Sequence, residues 1–394
     1  MPTHVGGLLQ MVLLFRTLSA VQVTLSNVFL PLDQYGAEIF TGDASVLKHG
    51  DFYYFYFNDW STSCPGVDCC NTSAGCAGHC YEKDDQPPYS AKCRDLEKGS
   101  SPYGFYHFVR VYRTLDFKVF EDLGIALDVD DRPRGVMFRP HVVFNEKTGL
   151  FVMWLDFGED ASKGSVGYRV AISTKPHGPF VVTSDVPIRV PGEPQSGDYH
   201  IFVDDDGRAY HVRRSPYGPP RGHNLTIIQL NDSYTGPSTL IASLEAPKEV
   251  EAPVMFKRKN KYYVISGVTC TACIVGANMY VHQADSVQGP WKFLGDIGSL
   301  PGVPYDAHNP TLYVTQAQGT SIFEVTAGDD STFVWIGNQW NSGLAKSPPG
   351  PRNHDLLYWA ALPFNADGSI QQLHYTYETS FEMDVPWRAD VVEV

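Results

Sequence analysis

Three acidic residues stand in equivalent places, each just ahead of an apolar strand-like run. Asp43 and Asp198 share one register, an acid followed three residues later by an apolar pair, and Glu251 precedes a similar strand and hairpin. A single acid of this kind is usually a solvated turn residue. Carboxylates that converge can instead donate and accept protons in catalysis. The repetition therefore predicts that these three side chains meet.

Short strand-like runs rich in Val, Ile, Tyr and Phe surround these acids, and helical periodicity is nearly absent. The chain has 22 Tyr, 22 Phe, 35 Gly and 28 Pro, a composition typical of many strands joined by many turns. Three hairpins have readable turns, at residues 146–149, 204–207 and 258–261. These patterns indicate an all-β protein.

An internal repeat sets the number of sheets. Residues 108–120, 168–180 and 279–291 each read as a strand, a short turn and an aromatic residue that begins another strand. About 55 residues separate Asp198 from Glu251, and Glu251 from His308, which suits four-stranded propeller blades better than an irregular β-sandwich. We expect a five-bladed β-propeller over residues 24–394 whose last blade joins N- and C-terminal strands. The first strand of each blade then lines the central axis.

Charge and hydropathy exclude two classes of protein. The 394 residues include 30 Lys and Arg against 44 Asp and Glu, a formal charge of −14, which argues against nucleic-acid binding. No run reaches the roughly 18 apolar residues that a spanning helix needs. We expect a monomer with no membrane span.

Several features favour the secretory pathway. Residues 1–23 resemble a signal peptide, although Arg16 interrupts the apolar run. Residues 58–102 form a Cys-rich insertion loop in the first blade, and two further cysteines, Cys270 and Cys273, lie apart. Disulfides fit the dense even set of cysteines, and a zinc site is the alternative. The clustered cysteines are Cys64, Cys69, Cys70, Cys76, Cys80 and Cys93, and the glycosylation sequons begin at Asn71, Asn224 and Asn231.

The blade motifs resemble those of glycoside hydrolase family 43. Its signatures are of the type Asp-Pro-Ser, then Asp-Pro with a strand and Asp-Asp-Asp-Gly, then Glu-Ala-Pro; here they begin at Asp43, Asp198 and Glu251. The likeness runs over roughly residues 30–365. Within the family it is nearest to the exo-β-1,3-galactanase branch and related eukaryotic sequences, which share the pattern that runs here from Arg139 to Trp154.

The resemblance implies a role for each acid. Inversion at a glycosidic bond needs a general acid and a general base about 6.5–9.5 Å apart. Glu251 matches the general acid of the family, and Asp43 matches the general base. Asp198 matches the residue that raises the pKa of the acid by like-charge repulsion and orients the substrate.

The chain also departs from the family pattern. Ala44 replaces the proline of the first signature, and Phe138 replaces a Glu of the galactanase branch. The likeness to that branch implies that a Gln of the last blade takes the base position, with Gln316 and Gln318 as candidates and Gln318 favoured by alignment with the following strands. Asp43 and Gln318 therefore both remain candidates for the base.

Other residues are assigned to binding. Arg139 is a candidate for sugar hydroxyls or for a salt bridge between blades, and Trp340 for stacking on a sugar ring or for packing between blades. His308 resembles a last-blade histidine that helps to hold a water-bound calcium ion near the axis, and a structural histidine is the alternative. No cofactor is required for the chemistry, although a structural Ca²⁺ on the axis fits the resemblance.

The resulting hypothesis is a secreted inverting glycoside hydrolase. Its substrate would be an oligo- or polysaccharide of plant or algal type, cleaved in galactan, arabinan or xylan side chains. The alternative is a carbohydrate-binding β-propeller without catalysis, and a protein-interaction propeller is a third reading. Three convergent carboxylates favour the enzyme, because their repulsion would destabilise a protein that only binds.

Overall fold

The computed structural model describes residues 18–39, 42–59, 107–159, 165–190, 197–215, 224–247, 249–268, 278–300, 314–339, 342 and 355–386. Every regular element within these ranges is a β-strand. The same ranges contain no helix of the length and hydropathy that crossing a membrane requires.

Five antiparallel sheets form the blades, and strands adjacent in sequence are adjacent in each sheet. Blade 1 contains β2 (Ser45–His49), β3 (Phe52–Asp59), β4 (Phe108–Thr114) and β5 (Glu121–Leu127). Blade 2 contains β6 (Val136–Asn145), β7 (Leu150–Gly158), β8 (Gly167–Ser173) and β9 (Val181–Val182). Blade 3 contains β10 (Tyr199–Val203), β11 (Ala209–Ser215), β12 (Asn224–Leu230) and β13 (Pro237–Glu245).

The remaining sheets complete the set. Blade 4 contains β14 (Val250–Arg258), β15 (Lys261–Val268), β16 (Tyr280–Ala284) and β17 (Lys292–Asp296). Blade 5 contains β18 (Gln318–Ala327), β19 (Asp330–Gln339) and β20 (Leu356–Ala361). A two-stranded ribbon pairs β1 (Leu18–Ser26) with β21 (Glu378–Pro386).

The first strands of the blades form a closed circle. They contact one another in the order β2, β6, β10, β14, β18 and back to β2. The predicted five-bladed β-propeller is therefore confirmed. We call the end of the ring where these strands begin the site face, and the end where hairpin turns join first and second strands the far face.

The ribbon of β1 and β21 packs beside blade 5. The Asn27 carboxamide bonds the backbone of Trp359, accepting from its N–H at 2.7 Å and donating to its carbonyl at 3.2 Å. N- and C-terminal strands thus pair with each other as predicted, but they form a separate ribbon beside the last blade and are not strands of its sheet. The last six residues of the predicted segment 1–23 lie in β1, and residues 1–17 lie outside the described ranges.

An apolar cluster fills each interface between neighbouring blades. Trp154 lies between blades 2 and 3, Trp335 between blades 4 and 5, and Trp359 between blades 5 and 1. All three indoles are buried. Alternating apolar residues on twisted strands produce this arrangement, because both faces of each sheet meet a neighbour.

The turns lie where the sequence predicted them. Residues 146–149, 204–207 and 258–261 join β6 to β7, β10 to β11 and β14 to β15. Gly149 and Gly207 adopt φ values of 68° and 75°, a region that glycine tolerates best. The clustered cysteines fall between β3 and β4 of blade 1, outside the described residues. Cys270 and Cys273 follow β15 and also lie outside the described residues.

Buried histidines pack between blades 2 and 3. The rings of His141 and His200 lie 4.4 Å apart between centroids, and His211 stacks on Tyr199 at 5.0 Å. Burial lowers the pKa of His141 to about 4 and the pKa of His200 well below its usual range, with the nearby His141 and His211 adding to the effect on His200. The fold therefore requires neutral imidazoles here.

This packing predicts that acid destabilises the fold. The unfolded chain binds protons at these histidines below a pKa of about 6.5 and the folded chain does not, so the stabilisation is complete above that pH and is lost as the pH falls. Between pH 7 and pH 5, His141 alone should lower the free energy of unfolding by about 2 kcal/mol. Urea unfolding should show that the free energy of unfolding depends less steeply on pH in His141→Gln than in the wild type. The exposed His177→Gln is the control, and equal slopes in all three proteins would contradict the prediction.

Candidate active site

Each blade places one polar residue at the beginning of its first strand, or close to it, on the site face. Asp43 lies two residues ahead of β2, and Asp198 directly precedes β10. Arg139 lies in β6, Glu251 is the second residue of β14, and Gln318 is the first residue of β18. Because the first strands converge on the axis, residues that are far apart in sequence meet here.

The backbone at these strand starts is irregular in a repeated way. Asp43, Arg139 and Ala252 adopt φ values of 53°, 54° and 52°, which side chains other than glycine rarely take. Strand pairing shifts register between Phe138 and His141, and again between Glu251 and Val254. Such bulges turn side chains away from their regular alternation, and strained backbone of this kind clusters at functional sites.

Arg139 joins three blades. Its Nε lies 2.7 Å from Asp198 Oδ1 in blade 3, and its Nη1 donates to the Gly319 carbonyl in blade 5 at 2.8 Å. Its own carbonyl accepts a hydrogen bond from the Tyr199 hydroxyl at 2.6 Å. Both charge and backbone therefore fix this guanidinium, so Arg139 makes the salt bridge between blades, one of its two predicted roles, while sugar binding stays a prediction.

Gln318 connects two of the acids. Its Nε2 lies 2.7 Å from Glu251 Oε1 and 3.3 Å from Asp198 Oδ2. The amide thus holds carboxylates from blades 3 and 4 next to one another.

Glu251 is enclosed but reaches the site. Only 8% of the residue is exposed. Besides the Gln318 amide, Arg214 Nη1 lies 3.5 Å from Glu251 Oε2. The sequence contains a second Glu-Ala-Pro motif at residues 245–247. Its glutamate, Glu245, lies exposed at the end of the outermost strand of blade 3. The structure thus separates two motifs that look alike in sequence.

Asp43 belongs to the same electrostatic environment. It is 4% exposed, and Asn338 Nδ2 lies 3.5 Å from its Oδ1. Burial acts to lower the pKa of Arg139, yet the nearby charges of Asp198, Asp43 and Glu251 raise it overall. All three acids therefore lie close enough to stabilise one buried cation.

Sequence reasoning missed two residues at the site, Arg214 and Asn338. Arg214 lies on β11, and its backbone N–H donates to the Asp198 carbonyl at 3.2 Å. Asn338 lies near the end of β19, in the aromatic run 333–340. The signal was available, because the second strand of a hairpin ends where the first begins, so its last residues flank the site.

Some predicted residues lie outside the described part of the chain. These are Trp340 and His308. The described residues contain no group of three or more His, Cys, Asp or Glu side chains able to hold a metal ion. A structural calcium ion near His308 stays a prediction.

Comparison with known proteins agrees with this fold. An exo-β-1,3-galactanase from Clostridium thermocellum is 22% identical, with a TM-score of 0.67 over 93% of this chain and 69% of that chain. An exo-β-1,3-galactanase from Phanerochaete chrysosporium, solved with β-1,3-galactotriose, is 19% identical, with a TM-score of 0.64 over 89% of this chain and 67% of that chain. At these identities the likeness shows the fold alone.

A further neighbour has a different specificity. An α-L-arabinofuranosidase from Clostridium thermocellum is 19% identical, with a TM-score of 0.55 over 88% of this chain and 97% of that chain. No curated protein matches the sequence. The family model of glycosyl hydrolases family 43 matches residues 100–293, a stretch that carries Arg139, Asp198 and Glu251. Over residues 100–293 the chain therefore matches glycosyl hydrolases family 43, and the structural neighbours named above are glycosidases.

Proposed function

We propose that the protein is an inverting glycosidase that removes terminal sugars from galactan, arabinan or xylan side chains. Glu251 is the general acid, Asp43 the general base, and Asp198 and Arg139 orient the sugar. The observation that carries this proposal is the convergence of one polar residue from each of five blades, with Gln318 bridging Glu251 and Asp198.

The position of Glu251 suits a group that reaches the leaving oxygen from an enclosed place. A general acid must be largely shielded from water and must still reach the leaving oxygen. Glu251 is enclosed except for a small exposed fraction, and it is oriented by an amide and a guanidinium. Asp198 supplies a second carboxylate on the other side of the same amide.

The geometry favours Asp43 over Gln318 as the base. An inverting enzyme needs about 6.5–9.5 Å between its two catalytic groups to admit a water molecule. Gln318 Nε2 lies 2.7 Å from Glu251, too close for a water on the opposite side of the sugar. Asp43 comes from blade 1, away from the Gln318–Glu251 contact, and its Oδ1 lies 3.5 Å from Asn338 Nδ2.

Arg139 supplies a donor for the substrate. Its Nη2 is buried and has no hydrogen-bond partner among the described residues. A buried unpaired donor is unfavourable unless a ligand group satisfies it. A sugar hydroxyl bound beside Asp198 would accept this bond. Trp340 is proposed to stack on a sugar ring.

Two observations bear on the substrate. Structural neighbours of this chain include exo-β-1,3-galactanases, and one is an α-L-arabinofuranosidase. We therefore place a terminal galactosyl residue first among the candidate substrates, and an arabinosyl residue second.

We also propose passage through the secretory pathway, with disulfides among the clustered cysteines and glycan at the sequons. Asn231 is exposed in a turn after β12, where a glycosyltransferase can reach it. Asn224 begins β12 and is half-buried. Asn231 is therefore the better acceptor of the two.

Replacing the proposed acid should abolish turnover of natural glycans. Glu251→Gln should lower kcat/KM on arabinogalactan side chains about 10²–10⁴-fold, because the leaving alcohol then receives no proton. Activity on a dinitrophenyl glycoside should largely survive, since that leaving group needs no proton. Release of reducing sugar and of dinitrophenol measures the two reactions. Glu245→Gln repeats the change at the exposed twin motif and should match the wild type, so an equal loss in both variants would refute the assignment.

Replacing the proposed base should affect both kinds of substrate. Asp43→Asn should lower kcat about 10²–10⁴-fold on natural and dinitrophenyl glycosides alike, because each reaction needs an activated water. Gln318→Ala should cause a smaller loss, since it removes only an orienting contact. Steady-state kinetics on both substrates provide the test. A larger loss of kcat in Gln318→Ala than in Asp43→Asn would instead assign the base position to Gln318.

A further inference from the structure

The far face carries one hairpin turn unlike the others. The turn of blade 4 presents Arg258, Lys259 and Lys261. The corresponding turns of the other blades all carry acids, namely Asp51, Glu146, Asp204, Asp205, Asp206, Asp329 and Asp330. A local excess of positive charge on a chain of net charge −14 indicates a site for an anion.

This turn forms one wall of a cleft of about 380 Å³. The other wall is the segment 364–368, which follows blade 5. Ligand pockets in proteins usually enclose about 300–1,000 Å³, so the cleft has the size for one sugar residue or a similar small group.

Arg258 is pre-positioned in this cleft. Its guanidinium lies 4.0 Å from the centroid of the Phe364 ring. Phe364 in turn packs against the rings of Tyr263 and Phe256 at 5.8 and 6.4 Å. A guanidinium held over a ring keeps its N–H groups available in the forked geometry that binds oxyanions in pairs of hydrogen bonds, and the buried Arg258 Nε has no partner among the described residues.

The opposite wall is also held in place. The Tyr263 hydroxyl donates to the Gly368 carbonyl at 2.8 Å. The Asp367 carboxylate accepts from the Ser369 N–H at 2.9 Å and from its hydroxyl at 2.7 Å. The cleft is therefore formed before a ligand arrives, which reduces the entropy lost on binding.

The charges around the cleft leave two cations for a ligand. Lys261 Nζ pairs with Asp285 at 2.7 Å, and Asp367 contributes one negative charge to the rim. Arg258 and Lys259 make no ion pair with a carboxylate in the described part of the chain. Lys259 also holds a φ of 47°, an unfavourable conformation for a lysine.

The cleft is separate from the candidate active site. Glu251 and Arg258 lie near opposite ends of β14, roughly 20 Å apart at about 3.3 Å per residue. A molecule in the cleft cannot reach the acids of the site face. A polymer that passes around the ring could occupy both places.

We infer that this cleft of blade 4 is a second carbohydrate site, which binds the anionic group of an acidic sugar, a carboxylate or a sulfate ester. The guanidinium of Arg258 and the ammonium of Lys259 hold the anion, and Asn365 lines the opposite wall beside the sugar. The choice of a sugar over another anion rests on the proposed function, whereas binding here requires no catalysis.

Ligand-detected NMR titration of the full chain tests this inference without turnover. The probes are galacturonic acid, galactose sulfate and neutral galactose. Both acidic sugars, or one of them, should bind more tightly than galactose, and the stronger one identifies the natural anion. Binding should weaken with added salt, because exposed charges are screened beyond about 8 Å at 0.15 M.

Variants locate the site. Arg258→Ala should weaken acidic-sugar binding about tenfold, the effect of losing one charge-assisted pair. Lys259→Gly removes a charge and relieves the unfavourable φ, so it should weaken binding severalfold in a protein at least as stable as the wild type. Lys147→Ala, in the equivalent turn of blade 2, should change nothing. The inference is wrong if galactose binds as tightly as the acidic sugars. It is also wrong if Lys259→Gly binds acidic sugars as the wild type does, or if Asp198→Asn is the variant that loses acidic-sugar binding.

Discussion

The ion pair between Arg139 and Asp198 is the contact on which the candidate active site depends. Three carboxylates on one small face repel one another, and an enclosed cation is what allows them to coexist. Arg139 comes from blade 2, pairs with blade 3 at 2.7 Å and donates to the backbone of blade 5 at 2.8 Å. The same side chain therefore balances the charge and joins the blades that carry it.

The propeller turns a local motif into a composite site. Each first strand delivers one side chain, and bulges near Arg139 and Glu251 turn those side chains towards the common centre. Apolar clusters between the blades keep the strand starts in fixed relation. Because Gln318 bonds both Glu251 and Asp198, small movements of blade 5 would change the separation of the two acids. Rigidity of the ring is thus part of the chemistry.

Much of this arrangement follows from the sequence, and the reasons are physical. Alternating apolar strands with glycine turns at 149 and 207 specify hairpins, and their regular spacing specifies blades. The acids at 43, 198 and 251 could be found because each stands at the start of a first strand or just ahead of it. Arg214 and Asn338 lie on second strands, so that rule misses them, and only the complementary rule that second strands end at the site face would find them. The partners of Gln318 depend on side-chain directions that spacing alone does not give.

The anomeric form of the first sugar released tests the central claim most directly. If Glu251 and Asp43 flank the bond with a water molecule between base and sugar, proton NMR early in the reaction should show the anomer opposite to the linkage cleaved. A product that retains the configuration would contradict the account, because it would require a carboxylate close enough to attack the sugar itself.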